Sequence, residues 1–97
     1  MDSATLPGIT VFFPGALRAK IGNRSSVLVA GHTIREVINA LEHDFPGLRF
    51  NVCHETGELR PYVNIFLDGE NIRYLQGLDT PVRNGGRLYV LQSVAGG

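Results

Sequence analysis

The chain has 97 residues, of which 43% are apolar and 19% charged, with nine Lys and Arg balanced by nine Asp and Glu and one cysteine. One domain with a moderate core fits this length and composition, whereas a disordered chain, a disulfide scaffold or a deep self-contained catalytic cavity does not. The basic residues are scattered singly, so neither a nucleic acid nor an anionic membrane is the expected partner. No apolar run approaches the length of a membrane span, and a lone cysteine without a secretory signal points to a cytoplasmic home.

Ile9-Thr10-Val11-Phe12-Phe13 is rich in β-branched and aromatic residues and is stopped by Pro14-Gly15, which predicts a first strand. Ala16 to Ser25 contains Gly22-Asn23 and reads as a turn or loose hairpin loop. Val27-Leu28-Val29 is a second short strand, ended by Gly31. At Thr33 the period changes. Thr33 and Glu36 form a capping box, in which the hydroxyl and the carboxylate each take an orphan backbone N–H. Ile34, Val37, Ile38, Leu41 and Phe45 then follow at helical spacing, and Pro46-Gly47 closes the helix.

Leu48 to Arg60 has no clean period. Tyr62 to Leu67 reads as a strand with apolar residues in both alternating sets, as in the middle of a sheet. Asp68-Gly69 is a hairpin turn, since both residues tolerate positive φ, and Glu70 to Arg73 is a short return strand. Leu78 to Val82 is irregular, Asn84-Gly85-Gly86 is a further turn, and Leu88 to Leu91 is the last strand. One helix must then cover one face of a mixed sheet of about five strands, an α+β fold with a β-grasp layout. The predicted organisation is a domain over residues 1–92 and a flexible C-terminal tail over 93–97.

That tail, Ser93-Val94-Ala95-Gly96-Gly97, becomes slimmer toward its end. Extended, five residues reach ~16–18 Å. Glycine lets backbone approach a surface closely, so the segment suits a narrow site to which it delivers only the carboxylate of Gly97. A carboxylate is ionised at neutral pH and is a poor electrophile until it gains a better leaving group. The chain has no phosphate-cradling G-x-x-x-x-G-K-[ST] motif, so activation is expected from another protein.

The segments Tyr62 to Arg73 and Leu88 to Gly97, with the strand before Pro14 and the helix capped by Thr33, resemble the MoaD/ThiS family of ubiquitin-like sulfur carriers. The likeness is greatest to carriers of the CysO type, which serve cysteine biosynthesis. The resemblance implies a carrier rather than an enzyme. A MoeB/ThiF-like E1-type adenylyltransferase would use ATP and Mg to adenylate Gly97, and a sulfur donor would convert it to a thiocarboxylate. A sulfur-accepting synthase would follow, in the cysteine branch a PLP-dependent cysteine synthase, with a JAMM-type metalloprotease releasing the product. No cofactor would be bound by the carrier itself. The small subunit of molybdopterin synthase, which usually has prolines where this chain has Gln92-Ser93, is an alternative, as are a ubiquitin-like modifier and an inert β-grasp interaction module.

If Leu88 and Val90 face the helix, alternation turns Tyr89 and Leu91 outward, where Phe66 joins them as a docking patch; Val94, Ala95 and Gly96 complete the expected partner contacts. Cys53-His54-Glu55 lacks the spacing of a metal site, and adjacent side chains diverge in extended backbone, so these are read as plain loop or half-buried residues. Asp68, Glu70 and Asp79 are read as solvated turn residues.

Overall fold

The structure, a computed structural model, describes residues 6–92. β1 (Gly8–Phe12) and β2 (Ser26–Ala30) form an antiparallel hairpin, with Ile9 opposite Val29 and Val11 opposite Val27. β3 (Val63–Leu67) pairs with β4 (Glu70–Asn71) on one side and with β5 (Arg87–Gln92) on the other, both antiparallel. β5 also lies parallel to β1, with Val11 opposite Leu88. The sheet order is β2-β1-β5-β3-β4, the expected mixed five-stranded sheet. α2 (Ile34–Asp44) covers one face with Ile34, Val37, Ile38 and Leu41, giving the β-grasp layout.

The start of α2 is held as the sequence predicts, with one shift. The Thr33 hydroxyl accepts from the Glu36 N–H at 3.2 Å, while the Glu36 carboxylate takes the N–H of His32, one residue further back, at 2.9 Å. The carbonyl of Thr80 accepts from the Ile34 N–H at 3.1 Å, so the segment before β5 also satisfies an orphan donor of the first turn.

Sequence reasoning missed two short helices. The loop from Ala16 to Ser25 holds α1 (Gly15–Arg18) and a 3₁₀ turn over Ala19–Ile21, which bury Leu17 and Ile21 before Gly22 and Asn23 turn the chain at positive φ. Leu48 to Arg60 holds α3 (Leu48–Val52), which buries Leu48 and Val52. Five residues are too few to show a period, and the stabilising contact comes from the preceding helix. The carboxylate of Glu42, on α2, accepts the backbone N–H groups of Gly47 at 2.9 Å and Arg49 at 2.8 Å, supplying the cap that Gly47 lacks.

The predicted return strand over Glu70 to Arg73 is also shorter than expected. Only Glu70 and Asn71 pair, and the chain then winds into a 3₁₀ turn over Ile72–Tyr74, placing Ile72 in the core. The Asn71 side chain causes the switch by accepting the Arg73 N–H at 2.9 Å. A further 3₁₀ turn over Gly77–Asp79 lies in the stretch expected to be irregular and buries Leu78. The Asp68-Gly69 turn is as predicted, with φ of 49° and 93°. Asp68 is not merely solvated, because its carboxylate accepts the Arg87 N–H at 2.9 Å and fixes the start of β5.

The N–H groups of Gly47 and Arg49, aided by the Arg49 charge, hold the Glu42 carboxyl below the usual carboxylate range. A lowered folded value contributes stability that is complete above the ordinary Glu range and gone once pH falls below the folded value. Urea unfolding of wild type and Glu42→Gln is therefore expected to show wild type ahead at neutral pH, with the gap closing as pH falls through that window. A gap independent of pH would contradict the assignment.

Candidate functional surface

Alternation along the three middle strands sorts the sheet into two faces. Ile9, Val11, Leu88, Val90, Val63 and Ile65 point to α2 and are buried. Tyr89 and Leu91 point the other way, 38% and 45% exposed, as the sequence predicts. Phe66 lies opposite Tyr89 in the β3–β5 register and is part-buried on the same face, in line with the sequence expectation. Phe12 completes the row from β1. Its ring stacks on Tyr89 with centroids 4.5 Å apart and planes 9° from parallel.

Sequence reasoning did not pick Phe12, although a signal existed. Ile9, Val11 and Phe13 form one alternating set, which leaves Phe12 on the opposite face of the strand. Leu28, 75% exposed, lies further along the same face on β2. The result is an apolar band of Phe12, Tyr89, Phe66 and Leu91 on the side of the sheet away from the helix. An exposed band of this kind, two of whose members lie on one strand, suits a transient protein contact. β5 runs through its middle and reaches Gln92, the last described residue. Val94, Ala95, Gly96 and Gly97, the other expected site residues, lie outside the described residues.

The remaining candidates separate. Cys53 is 2% exposed and belongs to the core. Burial pushes its thiol up, outweighing the nearby positive charges of Arg35, Arg49 and Arg60. His54 is exposed, and its Nδ1 lies 3.5 Å from the Arg60 guanidinium rather than beside the Cys53 sulfur in a working pair. Arg60 also sits over the Phe50 ring, 4.7 Å from its centroid. Cys53 and His54 edge a groove between α2, α3 and the loop after Cys53, lined by Arg35, Asn39, Arg49 and Phe50 among others. Glu36 is a cap, and Asp79 pairs with Arg35 at 3.1 Å on the surface, where such a pair contributes little. Among the described residues no three His, Cys, Asp or Glu side chains come together to hold a metal, and no helix is long and apolar enough to cross a membrane.

Comparisons with known proteins agree with this geometry. The model of the ThiS family matches residues 11–97. The sulfur carrier protein CysO of Mycobacterium tuberculosis is 34% identical over 91 residues, covering 92% of this chain and 98% of that protein. Small archaeal modifier protein 3 of Haloferax volcanii is 34% identical over 65 residues, 67% of this chain and 70% of that protein. The crystal structure of the Amycolatopsis orientalis BexX/CysO complex contains a chain similar to this one, with a TM-score of 0.86 and 32% identity over 92% of this chain and 99% of that one.

A buried thiol with a raised pKa reacts slowly, because the thiolate is the nucleophile and the reagent cannot reach it. Native Cys53 is expected to react with an aromatic disulfide reagent at least ~100-fold more slowly than in denaturant. Comparable rates in the two states would place Cys53 in an accessible site instead.

Proposed function

The chain belongs to the ThiS family, and we propose that it is a sulfur carrier whose reactive group is the carboxylate of Gly97. The supporting observation is the sorting of β5. Leu88 and Val90 anchor the strand in the core while Tyr89 and Leu91 present an apolar contact immediately before the tail sequence. Docking through that face brings the five following residues to a partner's active site, and their length gives a reach of ~16–18 Å.

In this reading an E1-like enzyme of the MoeB/ThiF kind binds the open face. A Gly97 carboxylate oxygen attacks the α-phosphorus of Mg-bound ATP in that enzyme, and pyrophosphate leaves. A donor sulfur attacks the acyl carbon, the C–O bond to AMP breaks, and a thiocarboxylate remains. The sulfur then passes to an acceptor held by a synthase. Similarity to a CysO carrier favours cysteine formation, with a PLP-dependent synthase as acceptor enzyme and a JAMM-type metalloprotease for release, in the cytoplasm. The carrier's contribution is delivery: docking replaces a bimolecular encounter with a tethered one. It acts as a co-substrate rather than as the enzyme.

Conjugation to protein lysines is the second reading, favoured by the likeness to a small archaeal modifier protein. It uses the same activated acyl group with a different nucleophile.

Intact mass after incubation with a cognate activating enzyme, ATP and sulfide is expected to rise by the exchange of one oxygen for sulfur, and deletion of Gly97 is expected to abolish the gain. No gain with an activating enzyme proven active would overturn the carrier reading. A second measurement addresses the docking face. Tyr89→Ser removes the stack on Phe12 and an exposed anchor, so KM for the carrier in activation is expected to rise about tenfold. Wild-type KM in a folded Tyr89→Ser variant would exclude this face from docking.

A further inference from the structure

The open face of the sheet is not wholly neutral. On β5 the outward residues are Arg87, Tyr89 and Leu91, since Leu88 and Val90 between them are buried. Along this strand the apolar band therefore ends at Leu91 on one side and meets Arg87 on the other. In the register Arg87 lies opposite Thr10 of β1, one outward position along from the row of Phe12, Tyr89 and Phe66. The other outward side chains of β1, β2, β3 and β5 are uncharged, so among the described residues Arg87 is the one charge that these strands set on this face.

The backbone of Arg87 is fastened while its side chain is not. Its N–H donates to Oδ1 of Asp68 at 2.9 Å, and its carbonyl accepts the Asp68 N–H at 2.9 Å. The other oxygen of that carboxylate faces Nε of Arg83, at the long distance of 3.9 Å. Arg87 is exposed, and among the described residues its guanidinium has no hydrogen-bond acceptor and no carboxylate within ion-pair distance. The fold thus fixes where this charge is mounted and leaves its donors to solvent.

We propose that Arg87 is the polar anchor of the docking face and pairs with a carboxylate that the activating enzyme places at the edge of its own apolar patch. The proposal rests on the docking reading of the open face. Covering the band strips water from the neighbouring guanidinium, and a charge desolvated without a partner is costly. A partner that buries this band must therefore bring an acceptor, and a carboxylate matches a planar fork of donors in both charge and two-point geometry. Phe12, Tyr89, Phe66 and Leu91 offer few directional contacts. One charge at the end of the band gives the complex a polarity, because a partner rotated by half a turn would set its carboxylate against Leu91 and leave Arg87 unpaired.

The test is the affinity of the carrier for its cognate activating enzyme, measured by calorimetry across roughly 0.05–0.5 M salt. Arg87→Gln is expected to weaken binding about tenfold and to lower its salt dependence, and Arg87→Glu, which sets like charges together, to weaken it by ~100-fold or more. Arg87→Lys keeps the charge without the fork and is expected to fall between wild type and Arg87→Gln. The side chain bonds nothing among the described residues, so all three variants are expected to fold as wild type does. Wild-type affinity in Arg87→Glu, or a loss in Arg87→Gln with unchanged salt dependence, overturns the proposal. Tyr89→Ser in the same assay separates it from the reading on which it rests. Weaker binding in Tyr89→Ser with none in the Arg87 variants removes only the anchor. Wild-type binding in all of them, or no binding of wild type to an enzyme proven active, overturns the anchor and the docking surface together.

Discussion

β5 is held from both sides, and the rest of the molecule depends on that constraint. It is the middle strand, parallel to β1 and antiparallel to β3, and its inward residues Leu88 and Val90 are 0% and 3% exposed. Burying each such side chain contributes roughly 1.5–3 kcal/mol. The strand's register is therefore set by the core, because a slip of one residue would bring Tyr89 and Leu91 inward and expel Leu88 and Val90. The same period of two that builds the core thus fixes which residues face outward. β5 is flanked on both sides as far as Tyr89, and over Val90, Leu91 and Gln92 it pairs with β3.

The two faces differ in what they contribute. The core between the sheet and the helices carries the stability: five strand side chains of the helix-side face, Ile9, Val11, Val63, Ile65 and Leu88, are below 2% exposed, as are Ile34 and Val37 of α2. The open face gives little by comparison, since an exposed aromatic stack adds about 0.5–1.5 kcal/mol beyond area burial and the surface ion pairs less than that. Substitutions on the open face are therefore expected to have little effect on folding. The same separation explains why an apolar band can remain uncovered: the hydrophobic core is complete without it.

The parts legible in the sequence were those whose determinants are local. The helix from Ile34 announces itself by Thr33, Glu36 and the apolar stripe, and the β3–β4 turn by Asp68-Gly69. Alternation in Leu88 to Leu91 was enough to assign Tyr89 and Leu91 outward. What escaped depends on side-chain-to-backbone bonds or on very short elements. α3 needs a carboxylate from α2, α1 spans four residues, and β4 is cut short by an asparagine whose side chain turns the backbone. Arg73 is the clearest instance. Its sequence neighbourhood reads as a strand, yet its side chain reaches back over ten to thirteen residues to the carbonyls of Val63 and Arg60. Period and propensity contain no trace of such a bond.

Division of labour follows from where the stability is placed. On the proposed reading, sulfur transfer and protein conjugation share every step up to the activated acyl group and differ only in the nucleophile that meets it. The carrier body cannot choose between them by the chemistry of its tail, because that segment offers the same acyl carbon to both. Choice must then reside in which partner the open face admits and in which nucleophile that partner holds within reach. A face built from Phe12, Tyr89, Phe66 and Leu91 has few directional groups, so it can accept more than one partner surface. Specificity is then assigned to the partners, and the carrier retains two tasks: a register that does not slip and a tail that begins from a fixed point.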